Sequence, residues 1–206
     1  TTQSMASSRA SPGAPRANTK VHFEIPDGAS VYAGMKLATF RGSTVSLLRG
    51  ERVALNILQR MSGIATQVRD FVQALGEGTA ITDTRKTTPG LRELERYAVR
   101  VGGGRNHRYN LSGGILIKEN HIVAAGSVTL AVLRARQNSP HSLKIEVEVT
   151  SLKQLREALN AGADIVMLDN MSTETMREAV VIVDGRALIE VSGNVTLDRC
   201  EELASL

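Results

Sequence analysis

The hydrophobic positions change their spacing twice along the chain. Over residues 21–50 short apolar runs alternate with glycine-containing turns, which predicts a small β-rich unit. Over residues 51–76 apolar side chains recur every three to four positions, which predicts one long amphipathic helix. From residue 79 onward, short strand-like runs alternate with helical segments. Five such units in succession favour a parallel sheet or a β/α barrel.

The boundaries of this second part follow from the same pattern. The predicted strands are residues 79–84, 114–118, 144–149, 165–168 and 188–191. The predicted helices are residues 91–101, 127–136, 152–161 and 173–183, with a further helix starting near Leu197. We therefore predict three segments: a tail over residues 1–20, a β-rich unit with its helix over 21–78, and a β/α domain over 79–206.

The first twenty residues differ in composition from the rest. They are rich in Ser, Ala, Arg and Pro, contain no acidic residue and show no apolar periodicity, which is typical of a disordered tail. An organelle transit peptide has a similar composition, but the segment lacks the amphipathic stripe expected of one. We expect a disordered tail and not a targeting signal.

Composition excludes several classes of protein. Hydrophobic residues make up 42% of the chain, but aromatic residues only 3%, so the core should be aliphatic, as parallel sheets prefer. A single cysteine, Cys200, excludes an internal disulfide framework and a cysteine-based zinc site, and it indicates a reducing, cytoplasmic environment. No apolar stretch reaches the length of a membrane span. A net charge of +4 is too small to indicate nucleic-acid binding.

Basic residues cluster where strands or glycine-rich segments meet turns. In parallel sheets and barrels the carboxyl ends of the strands meet at one edge, where ligands bind. Guanidinium groups hold carboxylates and phosphates through paired hydrogen bonds, and ammonium groups act as compact charges. We therefore predict a pocket for a small, highly charged anion. Its candidate residues are Arg85, Lys86, His107, Arg108 and Lys118.

Two acids and one turn complete the predicted site. Glu148 and Asp169 fall at strand ends, where carboxylates suit ribose hydroxyls or a Mg²⁺ ion carried by a pyrophosphate. The turn Ser192-Gly193-Asn194 precedes a predicted helix, so its backbone N–H groups could hold a phosphate. A polyphosphorylated sugar with an acidic co-substrate fits these features together.

Seven short motifs, in this order and spacing, resemble the quinolinate phosphoribosyltransferase family. They are GERVALN (50–56), DTRKTTPGLR (83–92), GGGRNHR (102–108), LIKENH (116–121), EVEV (146–149), MLDN (167–170) and EVSGN (190–194). The resemblance runs from about Val21 to the end of the chain. It implies an α/β fold, with a partial N-terminal α/β sandwich and an incomplete parallel β/α barrel, assembled as a homodimer.

The resemblance also implies roles for individual residues. Quinolinate would be bound by Arg85, His107, Arg108 and Lys118, with Arg52 reaching in from the partner subunit. Lys86 would lie near the phosphates, and Thr84 would also bind substrate. Glu148 and Asp169 would hold the ribose and its Mg²⁺, and the 5′-phosphate would be bound by Ser192, Gly193 and Asn194. Lys118, Glu148 and Asp169 are the expected catalytic residues. The implied reaction converts quinolinate and phosphoribosyl pyrophosphate to nicotinate mononucleotide, pyrophosphate and CO₂, a step of NAD synthesis.

Other interpretations stay open at this point. A relative of the same fold could act on nicotinate or another acidic heterocycle, or belong to the group linked to molybdate uptake. A basic module that binds nucleic acid is disfavoured by the lack of aromatic residues near the cations. Family members begin earlier and continue past Leu206 through another strand, so we also expect weak stability and weigh an inactive fragment. His121 is interpreted as a structural residue and not as a ligand.

Overall fold

The computed structural model describes residues 19–206, so the predicted tail lies outside the described residues apart from its last two. The first strand, β1, already begins at Lys20. The chain divides into two compact units, Thr1–Ser62 and Gly63–Leu206. This division falls within the long helix, whereas the sequence pattern placed the boundary at the end of that helix.

The first unit contains a two-stranded antiparallel sheet and the start of a helix. Strand β1 (Lys20–Phe23) pairs with β2 (Ala38–Arg41), and helix α1 (Thr44–Leu75) follows. The prediction that the helix starts at residue 51, after another strand-like run, was wrong. The hydroxyl of Ser43 accepts a hydrogen bond from the backbone N–H of Ser46 at 3.2 Å, which caps the helix seven residues earlier.

The second unit is built on a four-stranded parallel sheet in the order β3-β4-β5-β6. The strands are β3 (Ile115–Ile117), β4 (Ile145–Val149), β5 (Ile165–Asp169) and β6 (Leu188–Ser192). The helices are α2 (Arg92–Val101), α3 (Glu119–Ala125), α4 (Val128–Asn138), α5 (Leu152–Asn160), α6 (Thr173–Val183) and α7 (Cys200–Ala204), with a 3₁₀ turn over Leu197–Arg199. The predicted α/β fold class is confirmed. No described helix combines the length and apolar character needed to cross a membrane.

The core lies between one face of this sheet and the helices. Ile145, Val147 and Val149 on β4 are fully buried and pack with helix residues such as Leu155 and Met176. This core is aliphatic, as the composition predicts. Successive strand residues point to opposite faces, so the residues between these three, Glu146 and Glu148, share the other face. One face of the sheet therefore forms the core and the other carries polar residues.

One prediction for this unit was wrong, and one helix was not predicted. Residues 79–84 do not form a strand; Thr82 makes an isolated parallel bridge with Arg105. The side chain of Asp83 hydrogen-bonds inward, to the N–H of His107 at 2.8 Å among others, so this segment is tied to a loop and not to the sheet. Helix α3 was not predicted. It begins directly after β3, where the ring nitrogen Nδ1 of His121 accepts the backbone N–H of Lys118 at 2.9 Å.

Two segments with left-handed backbone, one after β5 and one after β6, are hydrogen-bonded to each other. Asn170 and Asn194 both have φ of 52°, and Gly193 has φ of 88°. The Asn170 amide donates to Asp169 at 3.0 Å and accepts from Asn194 at 3.2 Å. A Cβ atom on Gly193 would lie 2.1 Å from Oδ1 of Asn170. Only glycine therefore fits this turn without displacing the amide.

Replacing Gly193 by alanine should destabilise the protein more than the same change at Gly162. Gly162 has φ of 85°, and a Cβ atom added there would meet no other atom within 4 Å, so Gly162→Ala isolates the cost of left-handed backbone, about 1–2 kcal/mol. Gly193→Ala adds the loss of the Asn170 hydrogen bonds, on the order of 1–3 kcal/mol. Urea unfolding of the two variants measures the difference, and equal losses would contradict the packing argument.

Candidate functional site

A histidine and two carboxylates meet on the polar face of the parallel sheet. Nε2 of His107 lies 2.9 Å from Oε2 of Glu146 on β4 and 3.8 Å from Oε2 of Glu190 on β6. Glu146 is buried, and its other oxygen, Oε1, has no hydrogen-bond partner among the described residues. The imidazole is therefore held against carboxylates from two separate strands.

A lysine and a carboxylate pair at the carboxyl ends of β3 and β4. Nζ of Lys118 donates a hydrogen bond to Oε2 of Glu148. The Lys118 side chain keeps 47% of its surface exposed, so a ligand can approach it beside Glu148. Its backbone is fixed at the start of α3 by His121, in agreement with the structural interpretation of that histidine.

The guanidinium of Arg108 is partly buried near the charges of Arg85 and Glu146. Its Nη1 donates to the carbonyl of Gly114 at 2.9 Å, and the side chain is half-buried. Burial lowers the pKa of Arg108 first, and the charge of Arg85 lowers it further, while Glu146 opposes both effects. Arginine stays protonated in proteins, so the lowered pKa indicates a cation that an anionic ligand would stabilise.

Asp83 fixes the loop that carries His107 and Arg108. Its carboxylate accepts hydrogen bonds from Nη1 of Arg96 at 3.1 Å, from Nδ2 of Asn106 at 2.6 Å and from the backbone N–H of His107 at 2.8 Å. Nη2 of Arg96 donates to the carbonyl of His107 at 2.8 Å. Both backbone groups of His107 are therefore held by this buried network.

Arg92, one turn before Arg96 on α2, holds the loop of Arg85. Its Nη2 donates to the carbonyl of Arg85 at 3.0 Å, and its Nε donates to the hydroxyl of Thr87 at 3.1 Å. Sequence reasoning missed the roles of Asp83, Arg92 and Arg96. The available signal was two arginines four residues apart on one helix face, next to the DTRKT motif.

The structure distributes the predicted site residues over four places. One group lies together on the polar face of the sheet: His107, Arg108, Lys118 and Glu148. Arg85 lies close to Arg108. A second group lies at the neighbouring ends of β5 and β6: Asp169, Ser192, Gly193 and Asn194. Thr84 and Lys86 lie in the exposed loop after the bridge, where the Thr84 hydroxyl accepts the N–H of Lys86 at 3.1 Å. Arg52 is exposed on α1 in the first unit.

Sequence reasoning did not place Glu146 and Glu190 in the site. Glu146 shares a face with Glu148, which alternation along a strand predicts, and both acids fall inside motifs named above. What the sequence could not show is that both acids meet the same ring nitrogen of His107.

Burial raises the pKa of Glu146, although His107, Arg108 and Lys118 partly oppose it. The pKa of Glu190 is raised by burial first and then by the charge of Glu146. A raised pKa means that the folded protein holds these protons more tightly than the unfolded chain does. Their ionisation therefore lowers the free energy of unfolding as the pH rises from the ordinary carboxyl range through the raised values.

The same three side chains have the residue types of a metal site. Their ligand atoms all lie within 4.8 Å of one another. However, the 2.9 Å separation between His107 and Glu146 is that of a hydrogen bond, and the positive charges of Arg108 and Lys118 act on Glu146. We therefore interpret the cluster as hydrogen-bonded and not as a centre for a divalent cation.

Asp83→Asn should destabilise the protein strongly. Both carboxylate oxygens of Asp83 accept hydrogen bonds, and the NH₂ group of asparagine would place a donor against one set of these donors. The pair with Arg96 is nearly buried, with 10% and 7% of the side-chain surfaces exposed. We expect a loss on the order of 3 kcal/mol in the free energy of unfolding. Asp184→Asn, the same change at an exposed position, should cost much less. Equal unfolding midpoints for the two variants in urea would refute the role of Asp83.

Comparisons with known proteins agree with this geometry. The family model for the quinolinate phosphoribosyl transferase C-terminal domain matches residues 64–206, and the model for the N-terminal domain matches residues 8–62. The resemblance therefore begins before Val21, where the motifs alone first indicated it.

Individual relatives give the same result. The chain is 50% identical over 183 residues to "Probable nicotinate-nucleotide pyrophosphorylase (carboxylating)" of Synechocystis, covering 87% of this chain and 62% of that protein. It is 46% identical over 187 residues to nicotinate-nucleotide pyrophosphorylase (carboxylating) of Rattus norvegicus, covering 88% and 62%. The crystal structure of NadC from Streptococcus pyogenes superimposes with a TM-score of 0.87 at 46% identity, covering 92% and 67%.

The chain thus spans about three fifths of the length of these curated relatives. Within that length the family models cover both of its compact units. The chain belongs to the quinolinate phosphoribosyltransferase family.

Proposed function

We propose that this protein is a quinolinate phosphoribosyltransferase, which forms nicotinate mononucleotide, pyrophosphate and CO₂ from quinolinate and phosphoribosyl pyrophosphate in NAD synthesis. The observation that supports this most directly is the half-buried guanidinium of Arg108, which lies near the charge of Arg85 at the polar face of the sheet. A dicarboxylate would neutralise it. The names of the relatives, which specify a carboxylating nicotinate-nucleotide pyrophosphorylase, support the same reaction.

Quinolinate would be held through its two carboxylates. Arg85 and Arg108 can each form paired hydrogen bonds with a carboxylate, and the exposed ammonium of Lys118 adds a compact charge. His107 stands beside Arg108 in the chain and is fixed through both of its backbone groups. A monocarboxylate such as nicotinate would leave part of this charge unpaired, so the alternative heterocycles are less well matched.

Phosphoribosyl pyrophosphate would lie toward the ends of β4, β5 and β6. Glu148 and Asp169 leave adjacent strands at the same edge and suit ribose hydroxyls. The left-handed turn at Gly193 brings backbone groups to the surface, where a 5′-phosphate could approach. Lys86, exposed in its loop, would meet the other phosphates.

Mg²⁺ is the cofactor we propose, carried by the pyrophosphate. Asp169 accepts only the neutral amide of Asn170 among the contacts described, so its carboxylate suits a cation. Glu148 is already paired with Lys118, which makes it the weaker of the two ligands. When bound, Mg²⁺ would neutralise charge on the departing pyrophosphate.

The proposed reaction has two steps. The ring nitrogen of quinolinate bonds to the anomeric carbon of the sugar as the bond to pyrophosphate breaks, and a neighbouring carboxylate such as Glu148 favours the positive charge that develops on the sugar. The 2-carboxylate then leaves as CO₂, and the electron pair left on the ring carbon is stabilised by the adjacent pyridinium charge until a proton replaces it. The role of this chain is to bind, orient and balance charge.

We further propose a homodimer in which Arg52 of one subunit reaches the site of the other. The first unit exposes large apolar side chains that a second copy could cover, among them Phe23, Tyr32, Phe40 and Leu48. Arg52 is exposed on α1 and is therefore free to contact a partner. A cytoplasmic location is proposed on the free thiol of Cys200.

Release of labelled CO₂ from carboxyl-labelled quinolinate, with phosphoribosyl pyrophosphate and Mg²⁺, tests the activity. Lys118→Ala and Glu148→Ala should each lower turnover at least about 100-fold, because each removes a charge next to the reacting groups. Lys153→Ala, at an exposed position on α5, should leave turnover unchanged. A folded wild-type chain without turnover would instead favour an inactive fragment or another heterocyclic substrate, which assays with nicotinate would distinguish.

Co-expression of Arg52→Ala with Lys118→Ala tests the shared site. Each variant alone should be nearly inactive, but a mixed dimer would contain one site with both residues intact. We therefore expect partial recovery of turnover in the mixture, together with a dimer mass by light scattering. No recovery, with the mixed dimer demonstrated by tagged copies, would show that Arg52 does not act across subunits.

A further inference from the structure

Two loops carry the arginines proposed to hold the carboxylates of quinolinate. Arg85 lies in residues 84–88, the Arg85 loop, and Arg108 lies in residues 105–110, the Arg108 loop. The charge of Arg85 acts on Arg108, and like charges repel each other. The separation of the two guanidinium groups therefore depends on how the backbones of the two loops are fixed.

Arg92, half-buried on α2, contacts both loops. Its Nε and Nη2, which form one edge of the planar guanidinium, donate to the hydroxyl of Thr87 at 3.1 Å and to the carbonyl of Arg85 at 3.0 Å. Its Nη1, at the other end of the group, donates to the carbonyl of Tyr109 at 3.4 Å. One guanidinium thus links the backbone of the Arg85 loop to that of the Arg108 loop.

The Arg108 loop has anchors besides Arg92. Asp83 and Arg96 bond to the backbone N–H and the carbonyl of His107. The guanidinium carbon of Arg96 also lies 5.3 Å from the centre of the Tyr109 ring. With the long 3.4 Å contact from Arg92 removed, these interactions would still hold this loop.

The backbone at Arg85 depends on Arg92 more directly. The carbonyl of Arg85 also accepts the N–H of Thr87 at 3.0 Å, but that contact lies within the loop. Glu95 accepts the N–H of Thr88 at 3.2 Å, which ties the end of the loop to α2 three residues beyond Arg85. Arg92 is therefore the residue of α2 that fixes the Arg85 carbonyl itself.

We propose that Arg92 is a positioning residue that makes the site specific for a dicarboxylate. It holds Arg85 at the distance from Arg108 at which each guanidinium can pair with one carboxylate of the same small ligand. Arg92 acts through Arg85, because its own donors bond to oxygens of the loops. A monocarboxylate needs only one of the two arginines, so its affinity depends less on their spacing. The inference rests on the proposed function for the identity of the dicarboxylate.

Arg92→Lys is the variant that tests this role. Lysine keeps the positive charge, but its compact ammonium cannot hold two acceptors along one planar edge as the guanidinium does. Arg156→Lys, the same change at an exposed position on α5, is the matched control. Gly162→Ala is a second control, because it strains left-handed backbone before β5, away from both loops, and so separates lost stability from lost positioning.

The first measurement is calorimetric titration with quinolinate and with picolinate and nicotinate, which each keep one of its two carboxylates. Wild type should bind quinolinate most tightly. Arg92→Lys should raise the Kd of quinolinate roughly 10-fold, as loss of a charge-assisted hydrogen bond does, and change the Kd of the better-bound monocarboxylate by no more than about twofold. Arg156→Lys and Gly162→Ala should leave the Kd values of all three acids unchanged.

The second measurement is amide hydrogen exchange of the ligand-free chain, followed by mass spectrometry of its peptides. Loop amides exchange through local opening, so a lost anchor should appear in the loop that it held. Arg92→Lys should speed exchange in the Arg85 loop more than in the Arg108 loop, which keeps its contacts to Asp83 and Arg96. In both controls the two loops should exchange at wild-type rates.

An equal loss of affinity for all three acids in Arg92→Lys would overturn the proposal, and so would unchanged affinity for quinolinate. Wild-type exchange of the Arg85 loop in this variant would also overturn it. If wild type shows no preference for quinolinate over the monocarboxylates, the proposed function fails, and the exchange rates then decide by themselves whether Arg92 fixes the Arg85 loop. The two failures are therefore distinguishable.

Discussion

The alternation of residues along β4 is the constraint on which the site depends. Ile145, Val147 and Val149 are fully buried against the helices, so the strand cannot slip by one residue without exposing all three. This fixes Glu146 and Glu148 on the opposite face. The apolar core thereby determines where two carboxylates lie, although it makes no contact with a ligand. The same strand register therefore buries the apolar residues that stabilise the fold and places the two carboxylates on the opposite face.

A second network carries the basic loop to this face. Asp83 and Arg96 are nearly buried and hold the backbone of His107, and Arg92 holds the backbone of Arg85. Buried ion pairs contribute little net stability, but removing one partner costs much, so such pairs fix geometry well. The resulting site hydrogen-bonds His107 to Glu146 and pairs Lys118 with Glu148, while Arg108 donates to the carbonyl of Gly114.

Much of the fold could be predicted because local patterns agreed with the final structure. Helix α6, Thr173–Val183, has the predicted bounds, since its apolar spacing and the cap at Ser172 act within a few residues. The errors arose where distant residues decide the outcome. Residues 79–84 look like a strand, but the side chain of Asp83 is drawn to Arg96 and Asn106. Helix α3 was missed because its first turn is closed by His121, a weak helix former.

The sequence by itself determined the α/β class, the identity of most charged residues near the strand ends and the family, because these depend on residue order and local periodicity. Only the tertiary structure decided which charges meet. His107 and Glu146 are 39 positions apart, and Lys118 and Glu148 are 30 apart. Lys118 meets Glu148 because β3 and β4 lie side by side, and His107 meets Glu146 because Asp83 and Arg96 hold its loop, neither of which periodicity can specify. The partner of each of these side chains could be determined only from the folded chain.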